Sequence, residues 1–279
     1  SSDLARKRVN VCPLGSGAVA GSGFAVDRDF IAARLGFDSV AENSVDAVSD
    51  RDYIAEFLAA ASLVMMHLSR MAEEMIIWSS AEFGFVRLSD EYSTGSSMMP
   101  QKKNPDSFEL IKGKTGRVYG DLVSVLTMLK GLPLSYCRDL QEDKEPLFDA
   151  VKTVGSCLGI AEGAIRTLTF DTARMAAVMD PAMYATDAAD YLTMKGVPFR
   201  KAHEVAGRLV ARAQKDGMTL ADLPLDVFRE YSDRFGGDVK ELFDPAASTG
   251  RRSLRGGAAR GSLLAQIARA KELLMKEVG

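Results

Sequence analysis

Apolar residues recur three or four positions apart over three long stretches of this chain, which is the pattern of amphipathic helices. The first stretch begins near Ser49 and Asp52, whose spacing suggests a capping box, and predicts a helix of roughly 30 residues, about 45 Å long. The second covers residues 105–130 and ends at Gly131, and the third covers about 145–168. No stretch alternates with a period of two, so we expect few strands.

The helical spacing becomes shorter after residue 171, where glycine and proline separate the apolar runs. The chain is therefore predicted to be all-α, with a long-helix bundle at 1–171 and a smaller helical domain at 172–279. A loop rich in glycine and arginine at 251–261 precedes a last helix at 262–278. The apolar faces of the long helices exceed what one small domain can cover, so we expect them to meet other long helices.

Three glycines recur every fourth residue in the third long helix, at Gly155, Gly159 and Gly163. Glycine costs up to about 1 kcal/mol in a helix interior, so its repetition on one face needs a reason. We interpret this face as a packing seam that lets another backbone approach closely.

Composition excludes several classes of protein. Lys and Arg total 35 against 38 Asp and Glu, which gives a net charge of −3. This balance argues against a protein that binds nucleic acid through a basic surface. Cys12, Cys137 and Cys157 are odd in number and widely spaced, which favours a reducing cytoplasm over a disulfide scaffold or a zinc site. The longest nearly apolar run, at 57–66, is shorter than the roughly 20 residues of a membrane span, so we expect no anchor and no targeting signal.

The sequence TGSSMMPQKKNPDSFE at residues 94–109 carries the most chemistry. Pro100 and Pro105 disfavour helix in the residues before them, which predicts an exposed polar loop. Loops of this kind more often carry chemistry than packing. The alternative is a simple turn with solvated lysines and a helix cap, since short motifs often occur by chance.

A helix is predicted to begin directly after this loop. Asn104 is a good N-cap and Pro105 a good first helical residue. The unpaired N–H groups of the helix start, beside Lys102 and Lys103, suit an anion such as a carboxylate.

These residues resemble the GSSxMPxKxNP loop of the fumarase/aspartase superfamily of elimination lyases. The variant PQKKNPDS, together with QEDKE at 141–145, resembles the argininosuccinate lyase family, which includes the lens protein delta-crystallin. The resemblance is strong from about Val9 to Gly196 and also includes PLGSGAVAG, NSVDAVSDRDYIAEFL, HLSRMAEEMI, LKGLPLSYCRDLQEDKE and KGVPFRKAHE.

The resemblance implies a fold, an activity and an assembly. The family is a homotetramer whose long helices form a central bundle and whose active sites draw on several subunits. It splits argininosuccinate into arginine and fumarate by β-elimination and requires no cofactor; the resemblance implies no metal and no nicotinamide or flavin.

The resemblance also assigns roles to residues of this chain. Ser96 corresponds to the residue that transfers the proton, and Glu109 to a glutamate that raises the basicity of an active-site histidine. Lys102, Asn104 and the helix start can stabilise the carbanion in its aci-carboxylate form. The residues that match substrate-binding positions are Tyr136, Gln141 and Lys144. Without the resemblance, Glu109 is a first-turn acid favoured by the helix dipole.

The conformation of QEDKE is open at this stage. Gln141 and Lys144 share a face if the segment is helical. If the helix instead starts at Pro146, QEDK is a capping turn.

One family segment has no match in this chain. The catalytic histidine of the family lies in a T-H-x-Q-x-A-Q type segment, whereas the histidines here, His67 and His203, are expected to be structural. We therefore expect this chain to be the carboxyl-terminal part of a family member and to be inactive alone. An inactive structural protein of the delta-crystallin kind and a related lyase for another fumaryl substrate are the alternatives.

The glycine-rich segment at residues 15–21 imitates a dinucleotide-binding fingerprint. Pro13 interrupts the preceding strand pattern, and no alternating strand and helix units follow. We interpret the segment as a turn.

Overall fold

The computed structural model describes residues 2–278, whose regular structure is almost entirely helical, and the all-α prediction is confirmed. The chain divides into two compact units, Ser1–Met175 and Ala176–Gly279. The helices of the first unit are α1 (Ser2–Val9), α2 (Arg28–Leu35), α3 (Ser44–Ser49), α4 (Asp52–Ser79), α5 (Asp106–Leu129) and α6 (Lys144–Thr167). Two 3-10 helices, Asp90–Tyr92 and Arg138–Asp143, complete it.

The strands of the first unit form three two-stranded sheets, and each strand has two residues. β1 (Val11–Cys12) pairs in parallel with β2 (Ser39–Val40). The antiparallel pairs join β3 (Val86–Arg87) to β6 (Thr169–Phe170) and β4 (Thr94–Gly95) to β5 (Lys103–Asn104). No sheet within residues 2–278 has more than two strands, so the multi-stranded parallel sheet of a dinucleotide-binding fold is not formed.

The glycine-rich segment before α2 is a turn, as interpreted from the sequence. Gly17 has φ 59°, and a Cβ there would lie 2.2 Å from the carbonyl oxygen of Gly21. Only glycine therefore fits this position.

Helices α4, α5 and α6 run antiparallel in turn and bury one apolar face each. Lys112 near the start of α5 pairs with Glu73 near the end of α4, which fixes their opposed directions. The largest fully buried side chains in this core are those of Ile54, Leu58, Met65, Phe108 and Ile111. The packing of these faces, more than helix propensity, stabilises such helices.

The 28-residue α4 is, by length and composition alone, apolar enough to cross a membrane, with a mean hydropathy of 1.3 over its most apolar window. Core helices of globular proteins pass the same test. The buried side of α4, including Leu58, Met65 and Ala72, packs in the bundle core described above.

Two helix starts differ from the sequence predictions. Asn104 is not the cap of α5; it pairs with Thr94 in the β4–β5 ladder, Pro105 is the N-cap residue, and the helix begins at Asp106. Ser49 ends α3 and donates to the carbonyl of Val45, so it caps nothing; the Asp50 carboxylate instead accepts from the Asp52 N–H. In both cases a competing local hydrogen bond takes the polar side chain or backbone away from the cap.

Of the three glycines predicted to form a packing seam on α6, one is approached closely by another part of the chain. A Cβ at Gly163 would lie 1.9 Å from the Tyr92 hydroxyl oxygen. A Cβ at Gly155 or Gly159 would meet no described atom within 4 Å beyond its chain neighbours and the nearby backbone of its own helix. Gly163 therefore makes room for the Tyr92 side chain.

The second unit surrounds its own aromatic core. After α7 (Thr172–Ala177), which crosses the boundary, come α8 (Ala185–Met194), α9 (Phe199–Lys215), α10 (Leu225–Tyr231), α11 (Pro245–Arg251) and α12 (Arg260–Val278), with 3-10 helices at Pro181–Tyr184 and Gly237–Phe243. Phe228 and Phe235 are buried with edge-to-face rings 5.2 Å apart. The buried Asp187 accepts from Ser248 and pairs with Arg251 and Arg252.

Candidate active site

The motif at residues 94–104 forms a closed hairpin, which we call the serine hairpin. The β4–β5 ladder joins its two ends, with Thr94 opposite Asn104 and Gly95 opposite Lys103. Inside the ladder, the Ser96 N–H donates to the Lys102 carbonyl at 3.1 Å and the Lys102 N–H donates to the Met99 carbonyl at 2.9 Å. The exposed loop predicted from the prolines is therefore a hydrogen-bonded turn at the end of a short ladder.

The Ser96 hydroxyl oxygen is held inside this turn. It accepts the N–H groups of Met98 at 3.2 Å and Met99 at 3.0 Å, and the residue is half-buried. Hydrogen bonds to an oxygen favour its anionic form, which is the form that a serine base requires. The neighbouring Ser97 is exposed.

Polar contacts fix the neck of the serine hairpin to the elements beside it. Thr94 donates to the Asp106 carboxylate at the first residue of α5, and Lys103 pairs with Asp90. Lys102 is exposed and has no ion pair within the described part of the chain. Of the two adjacent lysines, only Lys103 is held by a carboxylate among the described residues.

The start of α5 lies directly after the serine hairpin. Its N-cap residue, Pro105, makes no side-chain cap hydrogen bond, so the positive end of the helix dipole is left for other groups. Asn104 and Pro105 line a cavity of about 300 Å³ with Ser93 and Lys103. Glu109 lies one turn into α5 and is exposed.

The second group of sequence-predicted residues lies on and after the 3-10 helix Arg138–Asp143. The Gln141 side-chain amide donates to the Tyr136 hydroxyl at 2.9 Å, and both side chains are exposed. Lys144 is the first residue of α6. QEDK is thus a 3-10 turn that leads into the helix, with Pro146 buried in its first turn.

An ion pair that the sequence did not reveal supports this second group. Arg51, the N-cap residue of α4, places its Nε 2.6 Å from Asp143 Oδ2, and the Asp143 side chain is 4% exposed. Lys144 Nζ lies 3.0 Å from the other oxygen, Asp143 Oδ1. Residues 51 and 143 are far apart in the chain, and no local spacing could have linked them.

A cavity of about 670 Å³ opens beside this ion pair. Its wall includes Tyr136, Arg51, Tyr53 and Arg8. Burial raises the pKa of the Tyr53 phenol above its usual value, so Tyr53 is neutral near pH 7. The wall also includes Asp46 and Asp50, so its two arginines and two aspartates carry no net charge.

The two groups lie at opposite ends of the bundle. The serine hairpin precedes the start of α5, whereas Tyr136, Gln141 and Lys144 follow its end and lead into α6. A helix of 24 residues spans about 36 Å at roughly 1.5 Å per residue. The structure thus brings together Ser96, Lys102 and Asn104 on one side and the three other residues on the other side, but not the two groups.

Within residues 2–278, neither histidine forms a side-chain hydrogen bond or ion pair with either group. His67 is exposed in the middle of α4, and His203 is exposed on α9 in the second unit. Among residues 2–278, no group of three or more His, Cys, Asp or Glu side chains could hold a metal ion.

Two family models match the chain. The model described as "Lyase" matches residues 3–120, which contain the serine hairpin, and the model described as "Argininosuccinate lyase C-terminal" matches residues 182–249. Together they cover more than half of the chain.

Curated relatives extend this match over nearly the whole chain. An argininosuccinate lyase from Roseiflexus castenholzii is 57% identical over 96% of this chain, and one from Symbiobacterium thermophilum is 54% identical over 99%. The chain spans 59% and 60% of their respective lengths.

Solved structures agree on the fold. An EDDS lyase variant with bound fumarate is 31% identical, with a TM-score of 0.87 over 98% of this chain and 56% of the other. A class II fumarase from Schistosoma mansoni has a TM-score of 0.65 at 17% identity, over 88% of this chain and 54% of the other, and so supports the fold alone. The serine hairpin, the three-helix bundle and the two matched segments all indicate the same family. The chain belongs to the argininosuccinate lyase family of the fumarase/aspartase superfamily.

Proposed function

We propose that this chain supplies the serine hairpin and the substrate-binding segment of an argininosuccinate lyase, a carbon–nitrogen lyase of arginine biosynthesis or the urea cycle. The observation that carries the proposal is the Ser96 oxygen, which is held by two N–H donors beside an uncapped helix start. Curated argininosuccinate lyases that are 52–57% identical to this chain support the substrate.

The chemistry follows from where positive charge lies. In β-elimination a base removes the proton from the carbon beside a carboxylate, and the guanidinium nitrogen leaves with the electron pair of its bond to carbon. Ser96, as the alkoxide, is the proposed base. The carboxylate takes up the developing negative charge as its aci form, which Lys102, Asn104 and the first N–H groups of α5 can stabilise.

A single chain cannot place both groups on one substrate, since about 36 Å of helix lies between them. We therefore propose a homotetramer in which the serine hairpin of one subunit meets the segment 136–144 of another. Large apolar side chains on the outer faces of the long helices support this assembly; Leu110, Val123 and Phe148 are 61%, 60% and 64% exposed.

Mixing two damaged proteins tests this shared site. Complete enzyme carrying Ser96→Ala and complete enzyme carrying Lys144→Met should each be inactive, and hybrids formed by dissociating and reassociating them should regain part of the activity. If mass spectrometry finds mixed tetramers and these are still inactive, each active site takes both groups from the same chain, and the shared site is wrong.

The activity is tested by following fumarate absorbance after adding argininosuccinate. We expect the chain alone to be inactive because no segment in it matches the histidine motif of the family. We expect activity when it is coexpressed with the part of the Roseiflexus castenholzii enzyme that precedes the matched region. Full turnover by the chain alone, with its mass verified, would contradict the first expectation.

Ser96→Ala and Ser97→Ala form a matched pair for this assay. We call this chain, coexpressed with the preceding part of the Roseiflexus castenholzii enzyme, the reassembled enzyme. In it, Ser96→Ala should abolish turnover and leave binding of argininosuccinate unchanged, because the hydroxyl acts in the transition state. Ser97 is exposed, and its replacement should retain most activity. Normal turnover by the Ser96→Ala protein would move the proton transfer to another group.

A related lyase for another fumaryl substrate is the second candidate. The similarity to an EDDS lyase that binds fumarate favours it, although at 31% identity against 57% for the Roseiflexus relative. Assaying both substrates separates them: preference for EDDS would overturn the argininosuccinate assignment. Absence of both activities in the reassembled protein would favour a structural, delta-crystallin-like role.

The proposed location is the cytoplasm. Cys12 and Cys157 are buried as free thiols and Cys137 is partly buried, which suits a reducing compartment.

A further inference from the structure

The Asp143 carboxylate is shared between a buried and an exposed cation. Arg51, whose side chain is 13% exposed, pairs with Oδ2. Lys144, whose side chain is 60% exposed, pairs with Oδ1. The two contacts lie on opposite oxygens, so one carboxylate faces two positive charges. This cluster has a net charge of +1.

The Arg51 side chain is locked in place from several directions. Its Nη1 donates to the carbonyl of Val48 at 3.0 Å and to that of Asp50 at 2.7 Å, both within the turn that leads into α4. Its Nε is therefore held toward Asp143 by the same turn that begins the helix. Few other positions are open to this guanidinium.

Lys144 has no such restraint. It is the first residue of α6, its only described polar contact is Asp143, and its side chain reaches solvent. An exposed lysine held by one carboxylate can exchange that partner for another anion at little cost.

We infer that Arg51 is a positioning residue: it neutralises the buried Asp143 carboxylate and thereby leaves the charge of Lys144 free to bind an anionic substrate. The inference rests on the proposed function in one respect, namely that Lys144 contacts the substrate. Without Arg51, the full charge of Asp143 falls on Lys144, its nearest remaining cation. Lys144 is then held as an ion pair on the protein and competes poorly for a carboxylate of the substrate.

The first test reads Lys144 directly on this chain and requires no turnover. The rate of Lys144 acetylation by an N-hydroxysuccinimide ester is measured by peptide mass spectrometry, relative to the exposed Lys152 on the same helix. Arg51→Met should lower this ratio about fivefold, since Lys144 becomes the only partner of a carboxylate. The double variant Arg51→Met, Asp143→Asn should restore it, because both charges are gone.

Two further variants separate charge from structure. Arg51→Lys keeps the positive charge and should retain the parent ratio even if Arg51→Met does not fold. Arg166→Met removes an exposed ion pair with Glu162 at the other end of α6 and should change nothing. The inference is overturned if Arg51→Met, folded by circular dichroism, keeps the parent ratio, if the double variant stays slow, or if Arg51→Lys lowers the ratio.

The second test uses the reassembled enzyme. Arg51→Met should raise the KM for argininosuccinate about fivefold and change kcat less than about twofold, with the KM restored in the double variant. A purely structural role would lower kcat through loss of folded enzyme and leave KM alone. If the parent enzyme makes no fumarate, the proposed function fails, and the acetylation ratio still decides the role of Arg51.

Discussion

Replacing Gly163 by alanine tests the packing of α6 against the 3-10 helix Asp90–Tyr92. A Cβ at this position would lie 1.9 Å from the Tyr92 hydroxyl oxygen and 2.4 Å from its Cζ, so the ring must move. Tyr92 is partly buried against the bundle core, and moving its ring disturbs that packing. Overpacking of this kind costs about 1–3 kcal/mol.

Gly159→Ala is the matched control, because its added Cβ would meet no described atom within 4 Å apart from its chain neighbours and the nearby backbone of its own helix. Both substitutions gain up to about 1 kcal/mol of helix propensity, so this term cancels when the two variants are compared. The difference in the free energy of unfolding between them is then the overpacking cost alone, about 1–3 kcal/mol, with Gly163→Ala the less stable.

The assay is urea unfolding followed by tryptophan fluorescence. Trp78 is the single tryptophan of the chain and packs against the bundle core, so its signal reports the first unit. Sedimentation should first show that all variants have the same oligomeric state, so that their unfolding free energies can be compared. Equal stability of the two alanine variants would refute the contact, and so would a deficit of Gly163→Ala that persists when Tyr92 is also replaced by alanine.

Three further predictions concern titrating groups. Burial and then the nearby Asp149 charge raise the pKa of Asp121, whose Oδ2 is buried without a hydrogen-bond partner among residues 2–278. Asp121→Asn should therefore raise the free energy of unfolding by about 0.5–1 kcal/mol at pH 7, and should have no such effect below the pKa, where the carboxyl is already neutral. Equal stability at pH 7 would contradict this. Burial raises the pKa of the Cys157 thiol, so a maleimide should label Cys137 first at pH 7, and equal rates would contradict the described burial. The Tyr191 hydroxyl donates to Asp238 at 2.5 Å and lowers the pKa of that carboxyl, which stabilises the fold above about pH 4 and loses this effect as the pH falls. Tyr191→Phe should therefore lower the free energy of unfolding, followed by circular dichroism, more at pH 7 than at pH 3. A loss of stability that does not depend on pH would contradict this linkage.

The long helices were predictable because their apolar positions repeat over many turns. The predicted third helix, 145–168, is α6 at Lys144–Thr167, and the predicted second helix ends before Gly131, which has φ 75°. The starts were harder to predict, since Asn104 had two competing uses, as a cap or as a strand residue. A two-residue ladder such as β4–β5 leaves too short a pattern to detect.

The residues proposed for the candidate site could be selected from the sequence, whereas their geometry could not be derived from it. Ser96, Lys102 and Asn104 are close in the chain, and the resemblance marked them directly. The acceptor role of the Ser96 oxygen depends on a turn whose hydrogen bonds no spacing encodes. The Arg51–Asp143 pair depends on where the starts of α4 and α6 meet, which only the fold determines.

The ladder at the base of the serine hairpin has a consequence for the thermodynamics of ligand binding. Gly95 and Lys103 already face each other, so the chain ends of the intervening turn are joined before any ligand arrives. The entropy of loop closure is therefore lost during folding and not during binding. A ligand that binds to this turn therefore meets a pre-formed unit, and more of its contact energy would appear as affinity.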